Sequence, residues 1–321
     1  MKRVLFLNLG LYEYDELISS ELIKKGYEVY EFCTDPYATD KFKLLHKFWK
    51  NEYLRYISKE QGKLLDELKE NKLLYDKIFV IGGVNIQKDT LNELKYLFPN
   101  AEFILYLWDD IARNTNYFNI YKAFDKIYSF DKEDCIKYNL EHLPLFFSNE
   151  YIYNNQKKTT QLFTSCSEHS DRIKIIDLFC HYCKNNNIKY KFRVVRSKFS
   201  FIKNYLLDKL RKRDYVTFKS ISREQNANAM KSAFAVLDIE HSSQNGLSMR
   251  IFEALASKCK IITTNEKIKE YDFYSPQNII IYDRNKEIKI PQEFWETPFD
   301  EMTVKNIHKY NVSEWITVLG F

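Results

Sequence analysis

The sequence predicts an α/β chain made of two doubly wound, parallel-sheet domains. Short apolar runs alternate with stretches of helical spacing along most of its length, which is the pattern of repeated β-α units. The pattern breaks once, at the polar stretch 149–160 with its run Asn154-Asn155-Gln156-Lys157-Lys158, and then starts again. At about 150 residues per domain, the 321 residues hold two domains, each able to bury its own core. The division predicted is 1–155 and 156–321.

In the first half, the apolar run 3–9 ends at Gly10 and reads as a strand with its turn. Residues 15–25 carry Leu17, Ile18, Leu22 and Ile23 at helical spacing and stop at Gly26, a C-terminal cap. A second strand is predicted over 27–32 and a long helix over 41–74. The strand at 77–81 is closed by Gly82-Gly83, and the helix at 90–98 ends before Pro99. Strands at 102–108 and 123–129 and a helix at 132–139 complete this half.

The second half begins with a strand at 161–165, a helix at 170–185 and a strand at 189–195. A basic amphipathic helix at 202–213, a short strand at 216–218 and a helix at 223–232 follow. Then come a strand at 233–239, a helix at 249–257 and a strand at 260–264. The tail with Trp295 and Trp315 is expected to form a terminal helix that packs back on the first domain. In such sheets ligands sit at the carboxyl ends of the strands, and a ligand shared by two halves sits in the cleft between them.

Composition narrows the function classes. Hydrophobic residues at 45% and charged residues at 29% are ordinary for a soluble globular protein. A net charge of +5 does not mark a nucleic-acid partner. The apolar N-terminal run stops at Asn8, too short for a secretory signal, and no stretch reaches the roughly 18 apolar residues of a membrane helix. Six dispersed cysteines, Cys33, Cys135, Cys166, Cys180, Cys183 and Cys259, then read as free thiols in a cytoplasmic protein. Cys180-His181-Tyr182-Cys183 has the spacing of half a zinc site, but no second pair accompanies it, so no metal is expected.

The stretch 233–264 carries the chemistry. It reads strand, polar loop, helix, strand. Ser248 is a good N-cap, and the amides that open the following helix make a site for a phosphate or diphosphate. Gly246 lets the backbone come close to a ligand, and Arg250 balances phosphate charge. Glu253, about one and a half turns in, reaches two vicinal hydroxyls, as on a ribose. The alternative is an ordinary βαβ unit in which Arg250 and Glu253 face solvent. No Gly-x-Gly-x-x-Gly follows Gly10, no Walker loop is present, and the hydrolase order of Ser, His and Asp is missing.

Residues 245–264 resemble the C-terminal donor-site motif of GT-B glycosyltransferases, in which an acidic residue, a Gly-containing loop and a Glu precede Ala-Leu/Met-Ala. The resemblance implies two Rossmann-like domains facing a central cleft, with Glu253 on the nucleotide ribose. The position eight residues before that Glu, where the family has an acid on the donor sugar, is Asn245 here. This departure leaves the sugar and the stereochemical course open. Longer segments resemble bacterial capsular-polysaccharide and lipopolysaccharide synthesis proteins related to spore-coat glycosyltransferase-like proteins. They are Tyr106-Leu-Trp-Asp-Asp110, Phe124-Asp-Lys-Ile-Tyr-Ser-Phe-Asp131 with Tyr138-Asn-Leu140, Pro144-Leu-Phe-Phe147, Glu168-His-Ser-Asp-Arg172, Leu237-Asp-Ile-Glu-His241, Gly246-Leu-Ser-Met-Arg-Ile-Phe-Glu-Ala254 and Tyr271-Asp-Phe-Tyr-Ser-Pro276.

What the resemblance implies is transfer of a sugar, a hexosyl group, from a nucleotide-sugar donor to a glycan or lipid-linked glycan acceptor of capsule or lipopolysaccharide. The donor would be held by His169, Arg172, His241, Gln244, Asn245, Gly246, Ser248, Arg250 and Glu253, with Arg172 pairing bidentately with the diphosphate. A plain surface capping loop is the alternative for His169 and Arg172, and a structural role that for His241. Asp109 and Asp110 follow the strand 102–108, where a carboxylate can take the acceptor's proton. Asp109 is favoured for this, and the alternative is helix capping. No Asp-x-Asp occurs, and in the GT-B family protein groups replace a metal at the diphosphate, so neither an essential divalent ion nor a cofactor is expected. A non-catalytic nucleotide- or sugar-binding protein and a nucleotide-sugar epimerase are the alternatives on the same scaffold.

Two basic, aromatic-rich stretches, 41–55 and 198–213, have the composition of helices that lie on anionic lipid. Contact with the inner face of the membrane is therefore expected of them. The alternative is core on one side and solvated charge on the other.

Overall fold

The central strands form because apolar runs four to seven residues long are buried on both faces, as parallel sheets demand. In the first strand, β1 (Lys2–Asn8), every residue from Val4 to Asn8 is buried. The computed structural model describes residues 2–10, 13–35, 48–241 and 245–321. These fall into two units, Met1–Pro144 with Trp315–Phe321, and Leu145–Glu314.

Unit 1 runs β1, α1 (Glu13–Lys24), β2 (Tyr27–Cys33), α2 (Lys50–Asn71), β3 (Lys77–Ile81), α3 (Lys88–Leu97), β4 (Glu102–Leu107), α4 (Tyr117–Ile120), β5 (Lys126–Ser129), α5 (Lys132–Tyr138) and β6 (Glu141–His142). Its six-stranded sheet has the order β2-β1-β3-β4-β5-β6, all parallel, and reverses between β1 and β3. Leu5, Val80, Leu105 and Leu107 of the sheet pack with Leu64 and Leu68 of α2 and Leu91 and Leu94 of α3. The C-terminal tail closes the other side. Trp315 lies against Tyr106 and Phe79, with ring centroids 4.7 and 6.3 Å away.

Unit 2 runs β7 (Thr160–Ser167), α6 (Arg172–Asn185), β8 (Tyr190–Val195), α7 (Lys198–Leu210), β9 (Val216–Thr217), α8 (Arg223–Lys231), β10 (Ala233–Asp238), α9 (Met249–Ala256), β11 (Lys260–Thr263), β12 (Ile279–Ile281) and α10 (Gln292–Glu296). A last helix, α11 (Val312–Val318), leads into the C-terminal tail. The sheet order is β12-β11-β10-β7-β8-β9, again all parallel. It reverses between β7 and β10, and at such a reversal the loops leave in opposite directions and open a crevice.

The doubly wound α/β class is therefore borne out in both units. Local differences have local causes. The strand expected to 108 ends at Leu107, and the one expected from 123 starts at Lys126, after a 3-10 turn at Tyr121–Ala123. The helix expected from 202 starts at Lys198, because Ser197 caps it by accepting a hydrogen bond from the Ser200 amide at 3.3 Å. Of the long helix expected over 41–74, residues 41–47 lie outside the described residues and α2 covers Lys50–Asn71, ended by Lys72 in the left-handed conformation at φ 53°.

Candidate functional site

The reversal in unit 2 sets β7 beside β10, and their carboxyl ends bring distant residues together. Asp238, the last residue of β10, has no solvent exposure. A buried carboxylate must be met by donors or counter-charge. Its Oδ1 accepts from Ser248 Oγ at 2.8 Å and is paired with Arg250 Nη1, and its Oδ2 accepts from Thr263 Oγ1 at 3.3 Å. Arg250 also donates from Nε to the Ser165 carbonyl at 3.2 Å. Asp238 thus pins the start of α9 to the ends of β7, β10 and β11.

Ser248 has the extended backbone of an N-cap, but its hydroxyl goes to Asp238, so its side chain does not cap α9. Behind it, the loop is held by Asn265, whose Nδ2 donates to the carbonyls of Asn245 and Gly246 at 3.2 and 3.3 Å. Glu253, one turn further into α9, is buried, and Arg250 is largely so; neither is a solvent-facing helix residue. Burial pulls the Arg250 pKa down, but Asp238, Cys166 and Glu253 outweigh it, and the net direction is up. Gln244 lies outside the described residues.

Arg172, in the first turn of α6, spans the reversal. It is buried and donates from Nε to the Ile239 carbonyl at 2.6 Å and from Nη1 to the Ser167 carbonyl at 2.7 Å. A bidentate hold on a diphosphate through those two nitrogens would have to replace these bonds. Burial lowers its pKa, with Arg250 adding to the effect. His169, from the β7–α6 loop, and His241, after β10, are brought together, their rings 5.5 Å apart and tilted by 35°.

Four residues that sequence reasoning did not single out complete the cluster: Asp238, Asn265, Glu240 and Arg284. Glu240, two residues beyond β10, is buried, and its Oε2 has no hydrogen-bond partner among the described residues. Arg284 donates from Nη2 to the Glu240 carbonyl at 2.6 Å, to Thr264 Oγ1 at 3.0 Å and to Glu240 Oε1 at 3.3 Å, while its Nη1 reaches Asp171 Oδ1 at 2.7 Å. Burial first, then the charge of Asp238, pushes the Glu240 carboxyl up to about 7 against Thr264 and Arg284. For Asp171 burial raises the pKa, but Arg284 outweighs it, so that carboxyl sits below its ordinary value. A buried carboxyl pushed toward neutrality in this way is a candidate for proton transfer.

In unit 1, Asp109 and Asp110 follow β4 and divide two roles. Asp110 is buried and closes a turn, its Oδ1 accepting from the Arg113 amide at 2.9 Å. Asp109 keeps a side chain 48% exposed, 3.5 Å from Arg113 Nη1. Burial raises its pKa, with Arg113 opposing and Asp110 reinforcing. Nearby, Gly82 and Gly83 turn the chain after β3 with φ of 71° and 69°, and their carbonyls accept from Asn114 Nδ2 and, at 2.8 Å, Asn116 Nδ2.

The sequence matches no family model and no curated protein. Solved structures match its architecture over nearly its full length. AviGT4, a glycosyltransferase involved in avilamycin A biosynthesis, is 12% identical, with a TM-score of 0.58 over 99% of this chain and 97% of that one. MnaA from S. aureus, solved with UDP, is 12% identical, with a TM-score of 0.57 over 99% and 95%. The lipopolysaccharide outer core galactosyltransferase WaaB, in its apo form, is 13% identical, with a TM-score of 0.56 over 99% of both chains. At such identities the likeness establishes the fold, which is GT-B.

Proposed function

We propose that this chain is a glycosyltransferase that moves a sugar from a nucleotide-sugar donor to a cell-surface glycan of the capsule or lipopolysaccharide kind. One observation carries the reading: the strand reversal of unit 2 holds a helix start, fixed by Asp238, Ser248 and Arg250, with the buried carboxylate of Glu253 one turn behind it. Helix amides and their dipole favour a diphosphate, and a carboxylate at that depth suits the paired hydroxyls of a ribose. Arg250 and Arg172 line the anion's surroundings, and Asp109 is the group on unit 1 suited to take the acceptor's proton. Two of the similar folds are glycosyltransferases by name, and MnaA was solved with UDP, which supports a nucleotide-sugar as ligand. The acceptor class rests on the sequence resemblance alone. Protein groups take the place of a metal in this reading.

Calorimetry against UDP-, GDP-, dTDP- and CMP-sugars tests it. Binding of one class, with slow release of free sugar in the absence of acceptor, supports a transferase. Conversion to an epimer without acceptor identifies an epimerase instead, and binding without turnover a non-catalytic protein. Glu253→Ala is expected to weaken nucleotide binding at least about ten-fold, the loss of a charge-assisted pair of hydrogen bonds, while the chain still folds. Unchanged affinity in that variant removes the donor-site assignment.

A further inference from the structure

The crossover helix α7 is built the wrong way round for a core element. Helices in a doubly wound sheet bury an apolar stripe, as α6 does with Ile175, Ile176, Phe179 and Cys180. In α7 the only buried residue is charged, Asp208. Phe199, Ile202, Leu206 and Leu210 recur at helical spacing along one face and are 74%, 65%, 73% and 82% exposed. Tyr205 and Leu207 extend this exposed surface.

What holds the helix down is ionic. Asp208 accepts from Arg196 Nη1 at 2.5 Å and from Arg213 Nη1 at 3.3 Å. Arg196 is clamped by both oxygens of Glu168 at 2.6 Å, and Arg213 Nη2 by Asp177 at 2.5 Å. Phe201, on the inner side, packs edge-on against Phe218 with centroids 5.2 Å apart. The network fixes the outward face without using it. An apolar stripe of this size, left in water, marks a contact surface.

We infer that α7 is a docking helix for an anionic lipid bilayer, lying parallel to the surface. The charge around the stripe selects this occupant. Lys198, Lys203 and Lys209 on the helix, and Arg211 and Lys212 at its end, are exposed, and none forms an ion pair with a described residue. The helix's one acid, Asp208, is turned inward and doubly paired. On the helix itself a protein partner of mixed charge would find no exposed acid, Asp214 beyond Lys212 being the one that follows it, whereas a sheet of headgroup phosphates matches a row of cations set beside apolar side chains. Phe199 and Tyr205 are of the amphipathic or aromatic kind that settles at the interface, and the lysine stems reach outward from the acyl boundary. With 13 residues, α7 is too short to cross, and no described helix is long and apolar enough to do so.

Vesicle flotation of the full chain tests this, with equimolar phosphatidylcholine and phosphatidylglycerol against phosphatidylcholine alone. The chain is expected to float with the anionic vesicles and to be released as salt rises. Leu206→Gln with Leu210→Gln should cut the bound fraction at least about ten-fold without lowering the melting temperature, since both side chains already face water. Lys203→Gln with Lys209→Gln should lose roughly five-fold per cation on anionic vesicles and nothing on neutral ones. A wild-type chain that floats with neither vesicle overturns the inference. So does equal binding to both vesicles, or a dimer in solution that the leucine variant converts to monomer while vesicles bind nothing. Nucleotide binding without vesicles should be the same in all these variants, so failure here leaves the donor-site reading standing.

Discussion

Replacing Glu240 by Gln probes the electrostatics at the strand reversal directly. The carboxyl is buried beside Asp238, and one of its oxygens has no hydrogen-bond partner among the described residues. Burial and that neighbouring charge carry its pKa from the ordinary 4.5 to about 7. Between those two values the folded chain holds a proton that the unfolded chain has released. Stability therefore falls as pH rises through that window and levels off above it. At about 1.4 kcal/mol per pH unit, the full effect is about 3 kcal/mol. The variant cannot titrate, so it should match the parent near pH 4.5 and exceed it by about 3 kcal/mol at pH 8. For a unit of this size, that is a gap of roughly 6–12 °C in melting temperature. Thermal unfolding followed by circular dichroism across that pH range measures it. A gap that stays constant with pH refutes the reasoning. A variant less stable than the parent at pH 8 refutes it too, because Glu240 would then be a carboxylate held ionised by Arg284.

Asp238→Ala should lower unfolding stability by about 3–5 kcal/mol, because it strands the largely buried Arg250 without its counter-charge; chemical denaturation reads this. Asp109→Asn should lower the sugar-transfer rate by roughly 10²–10⁴-fold in a single-turnover assay while leaving donor affinity and melting temperature as they were, since its side chain is half exposed. Gly83→Ala should cost about 1–3 kcal/mol in denaturant unfolding: φ is 69° there, and a Cβ would stand 2.8 Å from Ile120 Cδ1.

The fold was legible because its central strands are buried on both faces and so read as unbroken apolar runs, with Gly26, Gly82 and Gly83 punctuating them. β6 with two residues and β12 with three, too short for a periodicity to register, were not, although the equally short β9 was read at 216–218. In α7 the apolar and basic residues were visible and left two directions open, outward to lipid or inward to a core, and Asp208 finding Arg196 and Arg213 across the unit decides for outward. The candidate site divides in the same way. Asn245, Gly246, Ser248, Arg250 and Glu253 lie within one nine-residue stretch and announce a loop running into a helix. Arg172 could be placed on the first turn of its helix, but its hold on two carbonyls arises only once β7 and β10 are neighbours. Glu240 and Arg284 meet only through the sheet order, and no local pattern links them. Asp238 and Glu240 did leave a trace, two acids closing the apolar run of β10.

The charges at the reversal are balanced before any ligand arrives, and this shapes how an anion can bind. Arg250 faces Asp238, Arg284 faces Asp171 and Glu240, and Arg172 is held by carbonyls. Counting Arg172, Arg250 and Arg284 against Asp171, Asp238 and Glu253, the cluster is neutral when Glu240 carries its proton and negative when it does not. In the proposed donor site a diphosphate at the start of α9 would therefore meet guanidinium groups whose charge is already answered, and the helix amides would supply the attraction that remains. Asp238 touches both partners of this balance: it pins α9 through Ser248 and Arg250, and its charge raises the Glu240 pKa. An anion added beside it raises that pKa further, so protonation of Glu240 and anion binding must favour each other by the same amount. In the proposed reaction, the donor's arrival would thus leave a protonated carboxyl in the crevice, where the departing nucleoside diphosphate needs compensation for its growing charge.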